Sequence, residues 1–155
     1  MTEVIDTREG VLRALGRAEG LHDVIVRGVD LRGVDLSARV LREACFFRCD
    51  LRAANLRAAQ LRNVLFAGCD LTEASLEGVR LTTGLLRLQP DGEVGTRLDR
   101  AALTGAELAS AIFDRVGLVE ADFTSARLES AELTDCDLTG ARLTDAMLEL
   151  ATLRR

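Results

Sequence analysis

A bulky apolar residue recurs at every fifth position of this chain, and this period constrains the fold more than any other feature. One run extends from Leu31 through Leu36, Leu41, Phe46, Leu51 and Leu56 to Leu86, and a second from Leu98 through Phe113 and Phe123 to Leu153. A small residue generally stands two places ahead, as with Ala44, Cys49, Ala54, Ala59 and Cys69 in the first run and Ala101 to Ala151 in the second. On an α-helix each residue turns about 100°, so leucines five apart would wander around the cylinder. On a single strand they would alternate between faces. The period fits a chain that turns a corner every five residues. Each pentad then points its small residue and its leucine inward, with one outward residue between them and two at the corner.

Self-similarity at a fixed period marks a repeat architecture in which each unit buries its apolar residues only by stacking on its neighbours. Here Ala54-Asn55-Leu56-Arg57-Ala58, Cys69-Asp70-Leu71-Thr72-Glu73, Ala121-Asp122-Phe123-Thr124-Ser125 and Ala141-Arg142-Leu143-Thr144-Asp145 follow a loose A(D/N)LXX pattern. Over residues 21–155 the sequence resembles the pentapeptide repeat family. The resemblance implies an all-β fold: a right-handed, four-sided parallel β-helix, or solenoid, with one pentad per side and twenty residues per coil.

The 155 residues are expected to form one domain with a segmented plan. Residues 1–20 fall outside the repeat; Asp6 and Glu9 have capping-box spacing, and Val11, Leu12 and Leu15 give one apolar face before Gly20. This predicts a short capping helix that covers the open end of the solenoid, whose apolar core and strand edges would otherwise invite aggregation. The β-helix then occupies residues 21–155, interrupted by a loop at 88–96, because Leu86 and Leu98 stand twelve residues apart. That segment holds Pro90, Asp91 and Gly92, a strong turn signal that includes the only proline. The loop reads either as a tolerated insertion or as a recognition element on a rigid scaffold.

If each coil takes twenty residues, outward residues twenty apart form columns. One side is apolar where the others are polar: Ile25, Cys45, Leu65 and Leu85 precede its centres, and Phe47 follows one of them. Such a patch marks a contact, with a partner or with the N-terminal helix or loop folded over it. The next side carries Asp30, Asp50 and Asp70 beside Arg32 and Arg52, whose charges offset the repulsion of stacked carboxylates. In the last coil Met147 and Leu150 take outward positions, which suggests a two-fold homodimer paired there; Arg154 and Arg155 guarding the edge is the alternative.

Composition narrows the function. There is no long apolar run for a membrane span, and acids stand where a signal peptide would be basic, so a cytoplasmic, non-membrane protein is expected. Cys49 and Cys69 should stack one coil apart, as a disulfide or as two buried thiols. No CxxC pair accompanies the single His22, so no metal and no cofactor is expected. No serine or cysteine has a histidine partner within reach, which argues against an enzyme. Charge is uneven: net +2 over residues 21–90 and −6 over 91–155. The interleaved acids argue against direct nucleic-acid binding.

The best-described relatives implied by the resemblance are quinolone-resistance-type proteins, dimeric rods that imitate DNA and bind type II topoisomerases. That makes a DNA mimic acting on DNA gyrase or topoisomerase IV the most concrete candidate. The alternative is a general protein-interaction or scaffold module that uses the apolar side and the loop.

Overall fold

The computed structural model describes residues 2–17, 20–82, 85–87 and 96–154, with the backbone alone described at 82 and 85–87. The coil is a parallel solenoid with four sides. The first side is an eight-stranded sheet formed by β1 (Glu3–Ile5), β2 (Val24–Arg27), β4 (Cys45–Phe47), β6 (Leu65–Ala67), β8 (Leu85–Arg87), β9 (Ile112–Asp114), β10 (Glu132–Thr134) and β11 (Thr152–Arg154), stacked in that order. The fourth side begins as a three-stranded sheet of β3 (Val40–Arg42), β5 (Gln60–Arg62) and β7 (Arg80–Thr82). The second and third sides are ladders of single parallel bridges, such as Asp30 with Asp50 and Asp70, and Asp35 with Asn55 and Ser75.

The five-residue period has a backbone cause. Each corner residue from Asp23 to Gly78, and from Arg100 to Leu150, is left-handed, with φ between 50° and 70°. Many corners close with the amide three residues on donating to the centre's carbonyl, as Ala54 does to Leu51 and Ala106 to Leu103, both at 3.0 Å. A left-handed third residue under such a bond is the type II pattern. Most corners carry alanine, serine or a charged residue rather than glycine. The strain of a Cβ there is tolerated because inter-coil hydrogen bonds and core packing over-determine the turn.

Among the described residues, the leucine and phenylalanine centres from Leu21 to Leu133 and their small companions form one continuous buried core, with Cys136, Leu138 and Leu143 partly buried against it. Phe46 and Phe66 stack in adjacent coils at 5.0 Å between ring centres, and Phe113 meets Phe123 edge-on at 6.4 Å. Two places before Leu41 the chain carries Arg39 where other pentads have a small residue, and it is exposed.

Two readings of the sequence are corrected. The N-terminal segment is a strand and a helix: β1 adds to the first side in parallel register, Val4 opposite Ile25. Helix α1 (Arg8–Leu15) follows, and its N-cap is Thr7, whose hydroxyl accepts the Gly10 amide at 3.1 Å, instead of the Asp6 box. Val11, Ala14 and Leu15 join the core, and the Arg8 guanidinium donates to the Asp30 and Arg32 carbonyls. Thr96, placed in the loop by its sequence, is fully buried in the coil. Leu85 pairs with Ile112 instead of position 105, so seven additional residues are accommodated while the ladder continues in register.

Candidate interaction surfaces

The apolar column of the first side is longer than its sequence reading. Strand register places Val4, Ile25, Cys45, Leu65, Leu85 and Ile112 one above another. Ile25, Cys45, Leu65 and Ile112 are each half-buried, flanked by buried neighbours in the strand, so the column lies on the outward face of the sheet. Val4 is 59% exposed. Five steps at about 4.8 Å make a stripe on the order of 24 Å long. Phe47, half-buried, stands on the far side of the strand centre, and Ala67 beside it is buried. Val4 and Ile112 escaped the sequence reading because one precedes the repeat and the other follows the insertion that shifts the count.

The second side is a charge ladder. Asp30 pairs with Arg32 at 2.5 Å, Arg32 approaches Asp50 at 3.7 Å, Arg52 pairs with Asp50 at 2.6 Å, and Arg97 closes on Asp70 at 2.5 Å. Arg32's side-chain and amide hydrogen bonds hold the Asp30 carboxyl well below the usual carboxylate range. Hydrogen bonds from the Arg52 side chain and amide lower the Asp50 carboxyl against the opposing effect of burial. Burial pushes Asp70 up, but hydrogen bonds from the Thr72 hydroxyl and amide and from Arg97 outweigh it and leave Asp70 low. On this and the third side an aspartate before the centre also accepts the amide and hydroxyl two residues on, as in Asp122 with Thr124 at 3.0 and 2.6 Å. That geometry is an Asx turn, which gives the (D/N)LX pattern its structural role. The second side is therefore internally compensated.

At the far end, Met147 is 53% and Leu150 87% exposed, and the centres Leu148 and Leu153 are exposed with them. A cavity of about 380 Å³ opens there between Leu133, Cys136, Leu138 and Leu153. The predicted loop residues Pro90, Asp91 and Gly92, and the side chain of Leu85, lie outside the described residues.

The four cysteines are free. The Cys69 and Cys136 thiols donate to the carbonyls of Phe46 and Phe113 at 3.3 and 3.4 Å, and Cys49 reaches that of Val26 at 3.5 Å. Among the described residues no group of three or more histidine, cysteine and carboxylate side chains could hold a metal ion, and no helix is long and apolar enough to cross a membrane.

A family model described as "Pentapeptide repeats" matches in eight copies over residues 44–82 and 118–155. No curated protein sequence matches the chain. Among solved structures, HetL, a pentapeptide repeat protein involved in heterocyst differentiation regulation in Nostoc sp. strain PCC 7120, is 29% identical, with a TM-score of 0.40, covering 84% of this chain and 74% of its own. The pentapeptide repeat protein Rfr23 of Cyanothece 51142 is 17% identical, with a TM-score of 0.42, over 97% of this chain and 83% of its own. Trypsin-treated QnrB1, a plasmid-mediated fluoroquinolone resistance protein, is 16% identical, with a TM-score of 0.47, over 85% of this chain and 69% of its own. The five-residue beat and the eight matched repeats point to one family: the chain belongs to the pentapeptide repeat proteins.

Proposed function

We propose that this protein is a non-catalytic binding module whose contact surface is the first side of the rod. One observation carries the reading: the apolar column from Val4 through Ile25, Cys45 and Leu65 to Ile112, beside a second side that is polar and internally paired. Apolar side chains stacked at strand spacing make a single patch, and patches of this kind are contact sites. Phe47 supplies the aromatic anchor. The test is paired replacement of Phe47 and Leu65 by serine. The variant should keep its unfolding midpoint close to wild type, since both residues face outward, and lose its binding partner. Retained binding in a folded variant sinks the reading.

A second reading is favoured by the charge of −6 over residues 91–155 together with the exposed last coil. Two copies joined end to end through Met147 and Leu150 would form a longer rod with an acidic stretch at its middle, suited to a DNA-like contact with a type II topoisomerase such as DNA gyrase. Gyrase supercoiling, with and without a quinolone, measured across a titration of the protein, tests it. Unchanged activity in both conditions removes the topoisomerase, and an unchanged oligomeric state in Leu150→Asp removes the end-to-end pairing.

A further inference from the structure

We propose that Cys49 and Cys69 bind a soft, two-coordinate cation of the Cu(I) type, held in line between their sulfurs. The two residues take the same inward position in adjacent coils, just after β4 and β6, and both are buried. The ladder beside them is in parallel register: Asp50 bridges to Asp70, and the Asp70 amide donates to the Cys49 carbonyl at 3.0 Å. Each sulfur leans toward a first-side carbonyl one coil earlier, Cys49 toward Val26 and Cys69 toward Phe46. This shared lean keeps the sulfurs at the coil spacing of about 4.8 Å. They are close enough for each thiol to influence the other's protonation.

Two metal–thiolate bonds of about 2.3 Å laid end to end span about 4.6 Å, so a linear ion bridges the pair with little movement. The direction fits as well. Both side chains point into the rod, across its axis, while the sulfurs are stacked along it. Each sulfur therefore meets the ion at roughly a right angle to its own side chain. The column supplies two ligands and no third. Val29 stands one coil before Cys49, and Thr96 one coil after Cys69, its hydroxyl engaged with the Phe66 carbonyl. Zinc takes four ligands in structural sites, whereas paired thiolates select soft ions such as Cu(I).

The site has an entrance. A groove of about 310 Å³ lies over the corner between the first and second sides, and both cysteines contribute to its lining. Arg48, Arg52 and Arg97 line it against Asp50 and Asp70, an excess of one positive charge. Binding exchanges both thiol protons, which pass to solvent, for one monovalent cation. The bis-thiolate complex carries one negative charge, and the arginine excess offsets it. The Val26 and Phe46 carbonyls lose their thiol donors, a small loss beside two metal–sulfur bonds because a thiol donates weakly.

The test titrates the reduced, intact chain with Cu(I) under anaerobic conditions against a chromogenic Cu(I) chelator. Wild type should hold a single ion against the chelator and release both protons. Cys49→Val and Cys69→Val should each weaken binding about a hundredfold or more, since one sulfur remains. Both should fold, because Val29 and Val116 already occupy this column buried. Cys136→Val is the control: its neighbour one coil earlier is Val116 rather than a sulfur, so binding should not change. X-ray absorption at the copper edge should show two sulfur neighbours in line. Cu(I) should also raise the thermal midpoint of wild type and leave that of Cys69→Val unmoved.

Loss of all copper to the chelator overturns the proposal, as does binding that neither valine variant weakens. Three sulfur neighbours at copper overturn it too. Binding abolished by Cys45→Ser assigns the ion to the exposed thiol and likewise overturns it. None of these outcomes bears on the contact face, which stands or falls with Phe47 and Leu65.

Discussion

The Thr96 hydroxyl donates to the Phe66 carbonyl at 3.1 Å, from a position with no solvent exposure. It does what the thiols of Cys49, Cys69 and Cys136 do in other coils: each reaches back to the carbonyl of a first-side centre one coil earlier. At many other corners the centre's carbonyl receives the amide three residues on, as Leu31 does from Val34. In the column of small residues after the first side, Cys49, Cys69, Thr96 and Cys136 thus supply a donor as well as a fitting size, whereas Val29 and Val116 supply size alone. A buried carbonyl without a donor costs free energy. Thr96→Val should destabilise by about 1 kcal/mol and Thr96→Cys by less, since a thiol donates more weakly but in the same place. Urea unfolding midpoints check both, and a neutral Thr96→Val would show that the bond contributes nothing.

Acid should weaken the rod through the charge ladder. Asp30, Asp50 and Asp70 all have carboxyl pKa values lowered in the folded chain. A carboxyl lowered by folding contributes stability that is complete above its unfolded value near about 4 and is lost as pH falls through the lowered folded value. Stability should therefore be level from neutral pH down to about 4 and decline below it. Asp70 is the least exposed of the three aspartates, so Asp70→Asn should lower the neutral-pH midpoint and flatten the acid decline. Unfolding curves at neutral pH and near pH 3 give the comparison. Added salt should change the neutral-pH midpoint little, because exposed arginine–carboxylate pairs contribute modestly.

The corners test the cost of left-handed backbone. Gly33 has φ 61°, and a Cβ added there meets no atom within 4 Å. Gly33→Ala should cost about 1 kcal/mol through backbone conformation alone. Ala53, at φ 54° in the next coil, offers the reverse: Ala53→Gly should be neutral or stabilising by up to about 1 kcal/mol despite the looser unfolded chain. Thermal unfolding of the pair decides, and equal losses in both would show that the corners are held by contacts rather than by φ.

Exposure should govern thiol chemistry. Hydrogen bonding with Cys69 lowers the Cys49 pKa, whereas burial pushes up those of Cys45, Cys69 and Cys136. Thiolate content alone would make Cys49 the reactive residue, but it and Cys69 are buried while Cys45 is half-exposed. A maleimide applied to the native protein should label Cys45 first and Cys136 next, leaving Cys49 and Cys69 until the chain unfolds. Peptide mapping after timed labelling reads the order.

Most of the architecture was legible in the spacing of side chains. Leu31, Leu36 and Leu41 announce the corners because each pentad must turn its centre inward, and folding the chain at twenty residues aligns Ile25, Cys45 and Leu65. That count fails wherever its assumptions do. Val4 lies before the repeat and Ile112 after seven additional residues, so both ends of the apolar stripe were hidden. Asp6 offered the better capping pattern, yet Thr7 takes the cap because Glu3–Ile5 is occupied in the sheet and sets where the helix begins.

The sequence by itself determined the period, the inward residues and the polar or apolar character of each column, since these depend on neighbours five and twenty residues apart along an uninterrupted coil. Tertiary structure alone decided how the register resumes beyond the insertion, that β1 extends the first side, and that Thr96 belongs to the buried donor column. Those outcomes depend on backbone hydrogen bonds between coils, and a single sequence carries no marker of which carbonyl a buried hydroxyl will meet.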